Sequence, residues 1–590
     1  MGGPSGEFEM VDARDISNKQ KQIAVSEFFE KNKHFLGFDS LQRSLITAVK
    51  EAVDNSLDAC EEARILPEIK VEINRQKGDD IELISQDNGP GIPRDAIENV
   101  FGKFLLGSRF HAIRQTRGQQ GIGITGVVMY AQLTTGAKTR VISKIAKEAS
   151  AVFVELGLDT RKNKAIKSRE RREVWADENT GEEIAHGLKI STVMKAKYQR
   201  GKQSVFQYLR MTSIVNPHAT ITLVVKDRDG DILEDAKWIR TSEKLPRVVE
   251  EIKPHPHGIQ LGTLQRMLRE SEQNRMTSFL RHNFSGVSVR AAKELLSKSE
   301  IEENRNPKRI NSEDTKRLIH SFQEIKLLPP PTDCLSPIDD LLIKKGLSKA
   351  IDSRFASTVT RLPSVSQGNP FQIEVGLVFG GDLTSDGPIE VLRFANRVPL
   401  MYQQGGCALT KAIESINWKQ YGLDHPGGKG LPKGAAAVLI HLASTNVQFT
   451  SEAKEAVSDN EEVFDEIRKG LLEVGRGLKN HLKKNTQRKK AREKFELVNV
   501  ILPEIAKKTS KILDREVPDL APVITQIMNA VFCEEELGWD KERKVATCSI
   551  KVFNYTARAR AYTILLKWPE SESVSIVENS NGGRKEARGI

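Results

Sequence analysis

Ala48-Val-Lys-Glu-Ala-Val-Asp-Asn-Ser-Leu-Asp-Ala-Cys60 is the stretch from which the rest of the chain is read. On a helix, Glu51, Asp54, Asn55 and Asp58 fall at i, i+3, i+4 and i+7 and share one face, while Ile46, Val49, Val53 and Leu57 take the opposite one. Acids so placed repel one another, a poor choice for stability alone and a sensible one around a hard cation. Magnesium keeps several waters and takes one or two protein oxygens, a role that suits the side-chain carbonyl of Asn55. Glu51, one turn earlier, is placed to accept a proton from water attacking a terminal phosphate. Taken alone, such a segment is more often a solvated acidic helix face.

Two further segments shift that balance. After an alternating strand over Ile81 to Ile84 comes Asp87-Asn88-Gly89-Pro90-Gly91, a carboxylate followed by a turn. Gly89 and Gly91 let backbone approach a flat ligand, and Asp87 matches an exocyclic amine such as that of adenine, where guanine's carbonyl would repel it. Third comes Arg117-Gly118-Gln119-Gln120-Gly121-Ile122-Gly123, leading into an apolar helix over Val127 to Leu133. Glycine-rich backbone ahead of a helix presents N–H donors and a positive dipole end to phosphate. The loop lacks the Gly-Lys-Ser/Thr ending of a Walker A motif and does not lead out of a first strand as a dinucleotide fingerprint does.

In this order the three segments resemble the Bergerat ATP-binding fold of the GHKL superfamily, which groups gyrase, heat-shock chaperones, histidine kinases and MutL. The resemblance implies Glu51 as general base, Asn55 as magnesium ligand, Asp87 as adenine reader, and Gly118, Gly121 and Gly123 with Arg117, Gln119, Gln120 and Ile122 as a lid around the phosphates. Many members carry a Gly-Thr whose hydroxyl assists the aspartate through water. Here it is Gly187-Leu188, so no site is assigned there, with Thr192 a weaker candidate.

Longer stretches are similar to the B subunits of the topoisomerase VI family: Gly102-Lys103-Phe-Leu-Leu-Gly107-Ser108-Arg109, Thr116 to Gly123, Gln132 to Gly136, His255-Pro-His-Gly258, and Arg393 to Tyr402. The similarity runs from about residue 20 to 500. It implies an α/β multidomain chain: an N-terminal strap and GHKL sandwich over 1–245, a helix-two-turn-helix module over 246–325, a ribosomal-S5-like transducer with a long helix over 326–510, and a small β-rich, partly disordered extension over 511–590. Lys103, Gly107 and Ser108 join the nucleotide-binding set. Lys454, in Ser451-Glu-Ala-Lys-Glu-Ala, matches the family's transducer lysine that touches the γ-phosphate. The family further implies ATP and Mg2+, dimerisation on ATP binding, an A2B2 assembly with a tyrosine-bearing A subunit, and passage of one DNA duplex through another. Open alternatives are a MutL-like repair ATPase, against which the helical insertion and Arg393 to Tyr402 argue, and a catalytically weak scaffold on DNA, which Leu188 keeps in play.

Composition agrees with a polyanion-handling protein. Ninety Lys plus Arg against 79 Asp plus Glu leave a net charge of +11, a field that favours DNA, although charge alone serves a merely basic protein equally well. Five cysteines without a CxxC pair suggest neither a disulfide framework nor a zinc site. No charged-then-apolar leader and no run of about 18 apolar residues is visible, so the expectation is a cytoplasmic protein with no membrane partner, nucleoid-associated in an archaeal-type cell or nuclear in a eukaryotic one.

Outside the motifs, the pattern predicts a solvated loop over Arg161 to Glu183 and strands at Gln372 to Phe379, Glu390 to Phe394 and Ala435 to Leu442. A helix is expected from Glu452 to about Lys494, and a hairpin over Thr547 to Trp568 ahead of a disordered end from Glu570.

Overall fold

The computed structural model describes residues 31, 33–34, 36–104, 112–118, 123–159, 164–177, 180–451, 454–540, 545–554 and 556. The expected strap before residue 31, Gly107, Ser108, Gln119, Gln120, Gly121, Ile122 and the end of the chain after 556 lie outside those residues. The chain divides into two compact units, 1–481 and 482–590.

In the first unit, the Ser40 hydroxyl accepts from the Arg43 amide and starts helix α1 (Leu41–Glu62). Strands β1 (Glu68–Arg75) and β2 (Asp80–Asp87) follow, each buried at every second residue, so one face is covered. Helices α2 (Arg94–Gly102) and α3 (Gly123–Thr135) come next, then β3 (Thr139–Lys144), β4 (Ala151–Asp159), β5 (Lys164–Glu173), β6 (Gly187–Lys195), α4 (Val205–Val215), β7 (Thr220–Lys226) and β8 (Ile232–Trp238). The strands form one sheet in the order β5-β4-β3-β6-β2-β1-β7-β8, antiparallel except where β1 meets β7. Helices α1, α3 and α4 cover the face that carries Ile69, Val71, Leu83 and Leu223, and α1 touches both other helices and the two central strands.

β5 corrects the loop expected over 161–183. Its burial alternates weakly because it is an edge strand, held to β4 by backbone bonds from Ala151 opposite Glu173 to Asp159 opposite Lys164. With no face committed to a core, its polar residues carry no period-two signal.

Helices α5 (Leu261–Arg269), α6 (Met276–Asn283), α7 (Val289–Lys298) and α8 (Ser312–Glu324) build a module with its own core of Leu264, Phe279, Leu295, Leu318 and Phe322. A reciprocal capping box between Asn311 and Asp314 opens α8.

After α9 (Asp340–Ala350), strands β9 (Phe355–Thr360), β10 (Ser364–Ser366), β11 (Asn369–Phe379), β12 (Glu390–Ala395) and β13 (Val398–Pro399), helix α10 (Ala408–Glu414) and strand β14 (Ala436–Ser444) form a second layer. Its sheet runs β10-β11-β14-β12-β13, with β9 also on β11. Every residue of β14 is buried, as its continuous apolar run implies. Gly376 leaves room for Leu347 of α9, while Val375, pointing the other way, lies against Gly470 of the long helix α11 (Glu461–Leu513), so the sheet is covered on both faces.

That helix starts nine residues later than expected, because the chain before it turns back at Lys454, where φ is +55°, and bridges Val457 to Phe449. It also runs past Lys494. There Leu497, Ile501, Ile505 and Ile512 are exposed, so helix-forming side chains rather than a buried apolar stripe continue it, and periodicity does not announce its end. In the second unit, after α12 (Ala521–Ile527), the hairpin is β15 (Val531–Asp540) paired with β16 (Val545–Asn554), earlier than the expected Thr547 to Trp568. Among the described residues no helix is long and apolar enough to cross a membrane.

Candidate nucleotide site

β2 ends in Asp87 on the face that α1 covers. Its Oδ2 accepts from the Ser56 hydroxyl at 2.6 Å and its Oδ1 from the Gly89 amide at 2.9 Å. Burial raises the Asp87 pKa, against those hydrogen bonds and one from the Leu188 backbone. The turn after it is held by Asn88, which accepts from the Glu68 amide at 2.8 Å and donates to the Leu66 carbonyl at 3.0 Å. Gly89 is needed because a Cβ there would lie 2.9 Å from Asp87 Oδ1. Gly91 has φ +73°, and a Cβ would come within 2.2 Å of the Lys144 carbonyl oxygen.

Two residues here were given no role by the sequence reading. Ser56 is a hydroxyl set beside the apolar face of α1, a visible signal that passes for a neutral helix residue. Gly187 brings β6 to within 2.3 Å, measured from its would-be Cβ, of the Asp87 carbonyl oxygen; only glycine fits. Thr192 does not reach the site: it pairs opposite Leu83, four residues along β2, and its hydroxyl meets Thr139 at 3.1 Å.

Helix α1 separates its acids instead of clustering them around one cation. Glu51 is half-buried with its carboxylate against the first residue of α3, where a Cβ on Gly123 would lie 1.9 Å from Oε2. Asn55, one turn on, is exposed. Asp54 faces α4 and accepts from the Tyr208 hydroxyl at 3.0 Å, and burial pushes its pKa up to about 7, opposed by Lys50 and raised further by Glu51. Asp58 instead pairs with Arg117 at 2.6 Å. The four-residue face expected to hold a cation therefore reduces to Glu51 and Asn55, because α1 is packed on three sides. No cluster of three or more acidic, histidine or cysteine side chains suited to a metal occurs among the described residues.

Arg117 stands at the foot of the glycine-rich loop and turns its guanidinium toward α1. It bonds Asp58, Glu61 on both oxygens (2.6 and 2.9 Å) and Asn216 Oδ1 at 2.7 Å. Burial works against the Arg117 charge, but Glu61 and Asp58 outweigh it and hold its pKa above the ordinary value. Burial likewise pushes Glu61 up, yet Arg117 and His218 hold its carboxyl well below the usual range. What Arg117 offers nearer the site is its carbonyl, which accepts from Lys454 Nζ at 3.3 Å. Gly118 stands in open space, and Lys103 is an exposed C-cap of α2 whose carbonyl accepts from Thr125 at 3.3 Å.

Lys454 arrives from the second layer. Burial lowers its pKa, as does Lys50, while Glu51, Asp54 and Asp58 raise it, so the ammonium stands among the acids of α1. Asp87, Glu51, Asn55, Gly123 and Lys454 thus gather around one helix from four separate stretches of chain. The roles expected for Gly107, Ser108, Gln119, Gln120, Gly121 and Ile122 lie outside the described residues.

Two family models match the chain. Residues 40–160 match the histidine kinase-, DNA gyrase B- and HSP90-like ATPase, and residues 330–494 match the topoisomerase VI B subunit transducer. The chain is 45% identical over 553 residues to the B subunit of type 2 DNA topoisomerase 6 from Methanococcoides burtonii, covering 94% of this chain and 87% of the relative. The protein of the same name from Archaeoglobus fulgidus is 45% identical over 542 residues, covering 92% and 87%, and that from Pyrococcus horikoshii 35% identical over 547, covering 84% and 93%. The GHKL-type ATPase sheet with α1, α2 and α3, the transducer match and identity along nearly the whole length leave no place for the repair-ATPase alternative: the chain belongs to the topoisomerase VI B-subunit family.

Proposed function

We propose that the chain is the ATP-binding and ATP-hydrolysing B subunit of a type IIB DNA topoisomerase, with its nucleotide held along α1. The observation that carries this reading is that Asp87, through Ser56, and Gly123, against Glu51, meet the same helix whose acids Lys454 faces, a residue more than three hundred positions away in sequence.

In this reading Asp87, oriented by Ser56 and Gly89, accepts the exocyclic amine of adenine, and Gly89, Gly91 and Gly187 keep backbone low beneath the base. Glu51 orients the attacking water and takes its proton. The loop from Gly118 to Gly123, with Lys103, Gly107 and Ser108, encloses the phosphates with backbone N–H donors, while Arg117 anchors the loop's base on α1. Lys454 meets the γ-phosphate as a compact point charge.

The donor set fits magnesium as a phosphate-borne ion. Asn55 presents one neutral oxygen in the open beside Glu51, and Asp54 and Asp58 are already committed elsewhere, so the protein offers one ligand and leaves the rest to water and phosphate. Such an ion would neutralise phosphate charge during hydrolysis.

At the level of the whole machine, residues 1–245 form the ATPase domain, 246–325 the helix-two-turn-helix module, 326–510 the transducer and 511–590 an extension. Two B subunits close on ATP, and the long helix carries the change to a tyrosine-bearing A subunit in an A2B2 assembly. The net charge of +11 favours sequence-independent contact with duplex phosphates.

The test is relaxation of supercoiled plasmid by the chain with a co-purified A subunit, ATP and magnesium. Relaxation that requires all four components, and that Glu51→Ala abolishes together with single-turnover hydrolysis, supports the reading. ATP hydrolysis unaffected by Glu51→Ala, or relaxation without the A subunit, overturns it.

A further inference from the structure

Between β14 and α11 the chain makes a short, closed loop. Its base is bridged at Phe449 and Val457, Thr450 N–H donates to the Ala456 carbonyl at 2.9 Å, and the Val457 carbonyl accepts from the Ala408 amide of α10 at 3.0 Å. The left-handed backbone at Lys454 lets two consecutive side chains address the same helix. Lys454 reaches the acids in the middle of α1, and the Glu455 carboxylate pairs with the Arg43 guanidinium in its first turn.

Arg43 is fixed from two more sides. Asp39 Oδ2 accepts from it at 2.5 Å, and its guanidinium lies over the Tyr402 ring, 5.0 Å from the centroid. The Arg43 and Glu455 side chains are only 18% and 7% exposed, so the pair is shielded from solvent and salt in a way surface pairs are not. Neither residue shares a hydrogen bond or ion pair with Asp87 or Gly123. Arg43 lies eight residues before Glu51, about 12 Å along the helix at ~1.5 Å per residue.

A lysine on a flexible four-carbon stem discriminates one phosphate only if its backbone is held at the right distance. On the α1 side the described loop has two holds: the Lys454 ammonium on the Arg117 carbonyl, which a phosphate would compete for, and the Arg43–Glu455 pair, which it would not. We propose that Arg43 and Glu455 are positioning residues for the nucleotide site, a latch that ties the transducer loop to the start of α1 and so sets the reach of Lys454. This rests on Lys454 meeting the γ-phosphate.

The full-length chain is titrated by calorimetry, in magnesium, with ADP and with a non-hydrolysable ATP analogue. Arg43→Met keeps the apolar stem over Tyr402 and removes the charge, and Glu455→Gln keeps the shape. Both should weaken the analogue about tenfold and leave ADP within about twofold, since only the analogue carries a third phosphate. Arg43→Lys should recover most of the loss, and Arg43→Met should add nothing in a Lys454→Met background.

If Lys454→Met selectively weakens the analogue while Arg43→Met weakens neither ligand, or weakens both alike, the latch is refuted and the lysine reading survives. If Lys454→Met itself shows no selectivity, the underlying reading fails and the latch with it.

Discussion

Gly123 leaves the Glu51 carboxylate its place: a Cβ on the first residue of α3 would stand 1.9 Å from Glu51 Oε2, closer than any real contact. The glycine therefore sets where a side chain seventy-two positions earlier can rest. Gly123→Ala is expected to push that carboxylate aside and reduce single-turnover ATP hydrolysis at least about a hundredfold, the low end of what a general base contributes. ADP affinity measured on the same protein should change far less. Hydrolysis at the wild-type rate would show that Glu51 does not act from this position.

Asp87 carries the adenine assignment, and Ser56 orients it. Asp87→Asn turns an acceptor-only group into one that also offers N–H donors to the base and the Ser56 hydroxyl, and should weaken ATP by about ten- to a hundredfold. Ser56→Ala removes one hydrogen bond of 2.6 Å and should cost only a few-fold. Guanine nucleotides should gain relative to adenine ones in Asp87→Asn, and competition calorimetry reads both effects.

Asp54 gives a pH dependence of defined sign. Its folded pKa of about 7 lies above the value of an unfolded aspartate, so the folded chain binds the extra proton, and stability falls as pH rises between about 4 and 7. Asp54→Asn keeps an acceptor for the Tyr208 hydroxyl without the buried charge. Its gain in stability over wild type, read from denaturant unfolding, should be absent near pH 4, grow through that window and level off above about pH 7, at a few kcal/mol. A gain that does not vary with pH would refute the burial argument.

Arg117 neutralises Asp58 and Glu61 together. Arg117→Met leaves both carboxylates and Asn216 without their donor in a water-poor site, and should destabilise the nucleotide domain by about 3–5 kcal/mol. Because Arg117 and His218 hold the Glu61 carboxyl low, the stability they confer is present above the unfolded glutamate pKa and lost as pH falls through and below it. The gap in melting temperature between variant and wild type should therefore be wide at pH 7 and begin to narrow only as pH falls below about 4, toward the lowered folded value.

Strand β2, the buried run of β14 and the order of the three nucleotide segments were legible because each repeats a local rule: period two, a continuous apolar stretch, glycines before a helix. β5 was not, since an edge strand with no buried face leaves only backbone bonds to define it. The far end of α11 was not, since its apolar residues stand exposed and mark no stripe.

Within the site the same division holds. Periodicity put Glu51, Asp54, Asn55 and Asp58 on one side of α1 and identified them as chemically interesting, the turn after β2 drew attention to Asp87, and resemblance alone singled out Lys454. Only the tertiary structure decided that Asp54 belongs to Tyr208, Asp58 to Arg117 and Arg43 to Glu455, while Glu51 stands half-buried against Gly123 and Asn55 is exposed. The reason is physical: sequence spacing sets the angle at which a side chain leaves a helix, but its protonation and partners depend on what packs against that angle. On α1 that covering comes from α4, from Arg117 and from a turn four hundred residues downstream.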